Sequence, residues 1–408
     1  MGDRADTARD ITISRRRLLA GGAAAIGAAG AAWSVGRAGA GTVAPDTTFG
    51  AEVVPFHGVH QAGIQTPPQA HALFTALDLR ADSGRSPRQA LTAVLRLWTA
   101  DAERLTQGRP ALADTEPELA HRPARLTVTV GLGPELFDKI GMSHARPPSA
   151  RQLPAFTIDR LDPRWCGGDL FLQICADDPM VVAHTAGVLL KNVRTLARPR
   201  WRQVGFRTAR GADAPDVTMR NLFGQVDGTV NPDEADFAEL VWMDGRQQPW
   251  SAGGSLAVVR RIAMNLDTWD ELGRDARELT VGRRLDNGAP LTGRHETDEP
   301  DLTMLRNGIP VIPPNSHVAR ARHRTPEERF LRRSYNYDDP PADDRTSDAG
   351  LIFVSYQRDI DRQFLPVQQR LADADALNEW TTPIGSAVFV ILPGVAPGGY
   401  LGESLLSG

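Results

Sequence analysis

Two stretches of this chain repeat one rhythm, and that repeat constrains the fold more than any other feature. DLFLQICADDPMVVAHTAGVLL (residues 169–190) and GLIFVSYQRDIDRQFLPVQQRL (residues 350–371) each begin with seven apolar-rich residues of strand character. Each continues through a short polar joint containing Asp into a segment with apolar residues at helical spacing. An earlier strand–helix pair precedes each copy: Ala72–Leu79 with Pro87–Thr106, and Leu256–Met264 with Leu266–Glu278. Further strands are expected at Arg125–Val130, Leu196–Phe206 and Ser386–Leu392, with a short helix from Gly133 to Ile140. The helix after Cys175 is expected from Asp177 to Asn192, and its counterpart from Asp359 to Leu371. Two similar α+β units follow, each a mainly antiparallel sheet with helices on one face. The likeness of the copies is coarse, and chance is the alternative. An Arg/Gly/Ala/Asp/Pro-rich stretch, residues 207–222, reads as the connection between the units.

Composition narrows the function. The chain has 408 residues, 41% hydrophobic and 24% charged, with a formal net charge of −4. That length supports two or three ordinary domains. No basic cluster with interleaved aromatics occurs in the body, which argues against nucleic-acid binding. Two cysteines, Cys166 and Cys175, exclude a disulfide-rich scaffold and a cysteine-based metal or iron–sulfur site. A bridge between them is an open alternative to two free thiols, with Cys175 expected buried in its strand.

Residues 1–40 differ from the rest. Ser14-Arg15-Arg16-Arg17-Leu18-Leu19 is a twin-arginine signature, followed by a weakly apolar Ala/Gly run and then Ala38-Gly39-Ala40, a small-x-small cleavage pattern. The run is too short of strongly apolar residues for a permanent span. Charge, apolar and cleavage regions in that order predict an exported protein. Export after folding suits a chain that acquires a cofactor in the cytoplasm.

Two motifs carry the chemistry. In Asn221–Pro232 (NLFGQVDGTVNP), Gly224 and Gly228 flank Asp227. Glycines permit a tight backbone and the close approach of a bulky planar group, and an aspartate held there can move protons. The alternative is a simple Asp-Gly turn. In Ser316–Asp339 (SHVARARHRTPEERFLRRSYNYDD), His317 follows a Pro/Asn-rich turn, and Arg332 and Arg333 open a polar–aromatic run. His57, His60, His295 and His323 form no HxH or HExxH pattern and read as surface or structural residues.

These motifs, with VPFHGVHQAGIQTP (54–67), GGDLFLQICADDP (167–179), GLIFVSYQRD (350–359) and TTPIGSAVFVILPG (381–394), occur in the order found in dye-decolourising peroxidases. The chain resembles that haem family over nearly its whole length beyond residue 40, including its exported deferrochelatase-like members. The resemblance implies two ferredoxin-like halves forming a dimeric α+β barrel: 41–215, and 216–408 with haem b in this second half. It implies His317 as the proximal iron ligand, Glu379 as that histidine's acidic partner, Asp227 as the distal acid/base and Arg332 as the distal cation. Arg333 is the alternative register. Gly228, Arg332 and Phe353 are implied as haem contacts. Hydrogen peroxide and one-electron donors, dyes or phenols among them, are the implied substrates. Bulky donors would deliver electrons through surface aromatics, with Tyr335, Tyr337, Tyr356 and Trp380 as candidates. Haem-iron release in iron uptake, or haem binding without catalysis, are the alternative functions, and homo-oligomers are common among similar exported chains. Three residues depart from the family pattern: Gln225 for a common aromatic, Ala319 for an Arg and Ser334 for a Gly. None removes a catalytic group.

Overall fold

Alternation of apolar and polar residues builds one large antiparallel sheet. The structure, a computed structural model, describes residues 49–214, 217–341 and 346–407. The twin-arginine signature lies outside these residues. The strands that matter are β1 (His71–Leu79), β2 (Thr127–Leu132), β3 (Leu170–Ala176), β4 (Ala197–Phe206), β5 (Ser255–Met264), β6 (Leu331–Arg332), β7 (Tyr335–Asp339), β8 (Asp348–Gln357) and β9 (Thr381–Ile391). The principal helices are α1 (Pro87–Leu105), α2 (Pro179–Val193), α3 (Arg274–Val281), α4 (His317–Ala321) and α5 (Phe364–Ala374).

The strand order is β5-β9-β2-β3-β1-β4-β7-β8-β6, and β5 also pairs with β8, so the sheet closes on itself. Within it the order β2-β3-β1-β4 is a ferredoxin-like half, and β9-β5-β8-β7 is a second half with the same connectivity. The fold is therefore the α+β barrel that the resemblance implies, built from the two α+β units that the repeat suggests. The halves meet at two short seams. Phe206 pairs with Asn336 at one, and Leu132 and Gly131 pair with Val390 and Ile391 at the other. Both seams bring backbones close. A Cβ on Gly205 would lie 2.7 Å from Cβ of Tyr335, and one on Gly131 would lie 2.8 Å from Ile391 Cδ1.

Strand period two sorts side chains between two cores. Phe74, Phe171, Cys175, Tyr335, Tyr337, Ile352, Val354, Tyr356 and Phe389 pack together inside the barrel. Leu73, Leu77, Val128 and Val130 face the helices, packing with Val94, Leu95 and Trp98 of α1 and Val182, Ala186 and Leu189 of α2. A third cluster joins Phe223, Met264, Trp269, Val281 and Leu351, with Phe353 and Trp380 against it.

Local signals set the helix starts. Ser86 and Gln89 form a reciprocal capping box ahead of Pro87, and Asp178 accepts the Met180 N–H ahead of Pro179. Two expectations change. The helix expected from Leu266 to Glu278 is broken into Leu266–Asp270 and Arg274–Val281, with Gly273 capping the second piece. The helix expected from Asp359 begins at Phe364, because the Asp359 carboxylate accepts the Asp361 and Arg362 N–H groups and folds residues 359–363 into a turn. β7 is an addition. Its Tyr-Asn-Tyr alternation is a strand pattern, but its polar composition conceals it. Cys166 and Cys175 are both free thiols, half-buried and buried respectively.

Candidate functional site

Asp227 closes a tight loop. Arg220 and Val226 bridge across it, the Asn221 N–H donates to Gln225 O at 3.0 Å, and the Asp227 N–H donates to Met219 O at 2.8 Å. Gly224 turns the tip at φ +77° with open space beside it, so its freedom serves the turn and not a close approach. Asn221 anchors the loop twice. Its Oδ1 accepts the Phe223 and Gln225 N–H groups, and its Nδ2 donates to Asp227 Oδ2 at 3.3 Å.

Strand register decides which arginine meets this aspartate. Arg332 lies opposite Ser355 of β8, on the face that also carries Phe353. Its Nη1 stands 3.7 Å from Asp227 Oδ1. Arg333 lies one residue on and faces the barrel interior. There it is 1% exposed and donates to Thr66 O and Gln69 Oε1. Asn231 holds the open edge of β6: its Oδ1 accepts the Arg332 N–H and its Nδ2 donates to Arg332 O, both at 2.9 Å.

His317 opens α4. Its Nδ1 lies 2.6 Å from Oδ2 of Asp375, whose other oxygen accepts the Leu377 N–H. This corrects the expected pairing with Glu379. Asp375 caps the turn Ala376–Glu379 at the end of α5 and is buried there, whereas Glu379 finishes the turn exposed. Burial opposes a charge on His317, but the Asp375 carboxylate outweighs it and holds the imidazole above its usual pKa of 6.5. The charges of Asp227 and Arg332 act on it as well, with opposite signs.

Asp227 and Arg332 thus pair with each other and lie close enough to His317 for their charges to act on it. The His317 side chain is 35% exposed although protein surrounds it, and Asp227 and Arg332 are 23% and 26% exposed. The tethered Nδ1 leaves Nε2 as the nitrogen available to a metal. Gly228, at φ +134°, adds no side chain beside Asp227. This donor set suits a haem: one oriented imidazole, a carboxylate and a guanidinium, with Phe353 on the strand face that carries Arg332. A separate cavity of about 150 Å³, lined in part by Lys139, Cys166, Asp169 and Arg200, contains none of these residues.

Models of the Dyp-type peroxidase family match the chain twice, the N-terminal model over residues 61–207 and the C-terminal model over residues 218–396. The chain belongs to the Dyp-type peroxidase family. It is 42% identical over 364 residues to a dye-decolorizing peroxidase of Thermobifida fusca, covering 85% of this chain and 84% of that one. It is 36% identical over 415 residues to a deferrochelatase of Shigella flexneri, covering 96% and 97%. Among solved structures, the DyP-type peroxidase from Cellulomonas bogoriensis superposes with a TM-score of 0.86 at 55% identity, over 88% of this chain and all of that one. The DyP-type peroxidase from Streptomyces coelicolor gives 0.85 at 41%, over 89% and all of that chain. As a Dyp-type enzyme the chain is a peroxidase, and haem b is its cofactor.

Three of the aromatics expected at the surface are not there. Tyr335, Tyr337 and Tyr356 are fully buried inside the barrel, because period two points them inward. Trp380 is half-exposed and meets Trp269 edge-on at 5.3 Å. Trp269 in turn lies 4.4 Å from Phe223 in the Asp227 loop. Sequence reasoning also missed Asp375, Asn221 and Asn231. It missed Arg207 too, which senses the Asp227 charge and whose pKa burial pushes down. Asn221 and Asn231 lie inside the aspartate motif, so their nearness in sequence was the available signal.

Proposed function

We propose that this chain reduces hydrogen peroxide with a haem b that His317 Nε2 would ligate, and that Asp227 and Arg332 would act on the peroxide. The observation that carries the reading is an imidazole oriented by Asp375 and a carboxylate–guanidinium pair 3.7 Å apart whose two charges both act on that imidazole. His317, Gly228, Arg332 and Phe353 would hold the group. The haem, when bound, supplies two electrons to peroxide and recovers them one at a time from donors.

Asp227 would take the proton from one peroxide oxygen and return it to the other, which leaves as water. Two electrons and two further protons complete the reduction of peroxide to two waters. Arg332 supplies fixed positive charge where negative charge grows during O–O cleavage. Asn221 and Asn231 keep the two groups in register, by holding the carboxylate and the Arg332 backbone respectively. The Asp375 carboxylate makes His317 a stronger donor to the metal. We further read residues 41–215 and 216–408 as the two domains, and residues 1–40 as a twin-arginine leader that sends the folded chain out of the cytoplasm. Dyes, phenols and other one-electron donors are the proposed reductants.

The test is a visible spectrum with and without peroxide. His317→Ala is expected to lose haem on gel filtration, whereas Asp227→Ala retains it and reacts with peroxide about 10²–10⁴-fold more slowly. Full haem retention by His317→Ala would overturn the ligand assignment. A second reading, iron release from haem, is favoured by the deferrochelatase relative that spans 96% of this chain. Detecting free porphyrin after haem loading, without peroxide consumption, selects it.

A further inference from the structure

A second cluster of ligand atoms lies in the first half of the barrel, on elements that carry none of the haem-site residues. The loop between α1 and β2 supplies Asp114 and Glu116, and α2 supplies His184. His184 Nε2 lies 3.1 Å from Asp114 Oδ1, with the two side chains 6% and 0% exposed. Asp114 Oδ1 also accepts the Glu116 N–H at 3.0 Å. Asp114 Oδ2 is buried and has no hydrogen-bond partner among the described residues. A buried carboxylate oxygen left unpartnered is costly, and a cation is the partner that removes the cost. The nearest lysine does not provide it, since Lys191 Nζ donates to Thr115 Oγ1 at 3.3 Å. Asp101 adds further negative charge to the surroundings of Asp114.

One donor atom from each of Asp114, Glu116 and His184 lies within 4.8 Å of the others. Two donors on one Zn²⁺ are at most about 4.3 Å apart, twice the metal–ligand length. The exposed Glu116 closes that gap by a small rotation, exchanging the Thr115 hydroxyl that donates to its Oε2 at 2.7 Å. The His184–Asp114 spacing already fits two neighbouring ligands of one ion. One imidazole and two carboxylates suit Zn²⁺ or a similar transition ion better than Ca²⁺, which takes six to eight oxygens.

We propose that Asp114, Glu116 and His184 bind one divalent transition-metal ion, with Zn²⁺ as the probe, and that the ion pins α2 to the loop between α1 and β2. The test uses the haem-loaded full chain, stripped with EDTA and dialysed against Zn²⁺. Wild type is expected to bind one equivalent more tightly than Glu116→Gln by at least tenfold, with a rise in Tm on Zn²⁺ addition that the variant lacks. Glu116 is exposed, so this variant keeps the fold where His184→Ala could lose it. Asp114→Asn should weaken binding likewise. Equal Zn²⁺ affinity in wild type and Glu116→Gln, or no binding by wild type, would overturn the proposal and leave His184–Asp114 as a hydrogen-bonded pair alone.

Discussion

Asp375 and Glu379 are four positions apart, and only one of them reaches His317. Asp375→Asn keeps the shape but removes the charge that strengthens the imidazole as a donor. Its Fe(III)/Fe(II) midpoint potential, followed by spectroelectrochemistry, should rise, and that of Glu379→Gln should not move. The same contact sets a pH dependence in the haem-free chain. The pKa of His317 is raised, so its protonated form is the favoured one up to a pH above 6.5. The stability this adds is full below the unfolded value and is lost as pH rises through the folded one. A protonated imidazole cannot ligate, so haem uptake should weaken on acidification at a higher pH than for an ordinary histidine. Asp375→Asn should shift that midpoint downward. The arginine pair separates in the same way. Arg332→Ala should slow the peroxide step by about 10²-fold with little change in Tm. Arg333→Ala should lower stability by about 2 kcal/mol, because the Thr66 carbonyl and Gln69 amide lose their donor. It should leave the peroxide step near wild type, and stopped-flow spectroscopy with thermal melts distinguishes the two.

At the scale of elements, α3 ends at Gly282, in the left-handed conformation at φ +85°. A Cβ there would meet Val318 Cγ1 at 2.4 Å and Ser316 Oγ at 2.9 Å. Gly282→Ala should therefore push the segment carrying His317 and weaken haem retention, measured by transfer to apomyoglobin. The half-exposed Trp380, in contact with Trp269, is the remaining aromatic of those expected to serve bulky donors. Trp380→Phe should slow the oxidation of a bulky dye severalfold and leave a small phenol unchanged in steady-state assays. The facing of Asp227 and Arg332 was legible only through the family resemblance, with one register left open. The alternation along β6 and β8 closes it. Asp375 was not readable, because its place depends on where α5 ends, and the turn at 359–363 shifts that helix in a way periodicity does not report. Tyr335 and Tyr337 were misread for a related reason, because a polar run hid the strand that turns them inward; Tyr356 lies in an expected strand whose inward face closure of the barrel decides.

For the whole molecule, the repeated strand–helix rhythm carried the two halves, whereas closure of the barrel was legible only through the family resemblance. Closure rests on seams of one and two residue pairs, too few to leave a sequence pattern. Gly205→Ala tests the shorter seam. Its Cβ would meet Tyr335 Cβ at 2.7 Å, and overpacking of this kind costs about 1–3 kcal/mol. Chemical denaturation should show a lowered midpoint, and a splitting of the transition would show the halves unfolding separately. The connectivity common to both halves has one more consequence. In each, the loop between the first helix and the second strand reaches the second helix and meets it through a histidine–aspartate contact: Asp114 with His184 in one half, His317 with Asp375 in the other. The donor and acceptor have traded places, but the crossing is topologically the same. A single ancestral unit with a His–Asp clasp at that crossing, doubled and then allowed to diverge, would leave this arrangement: one clasp orienting a haem ligand, the other still joining its loop to its helix.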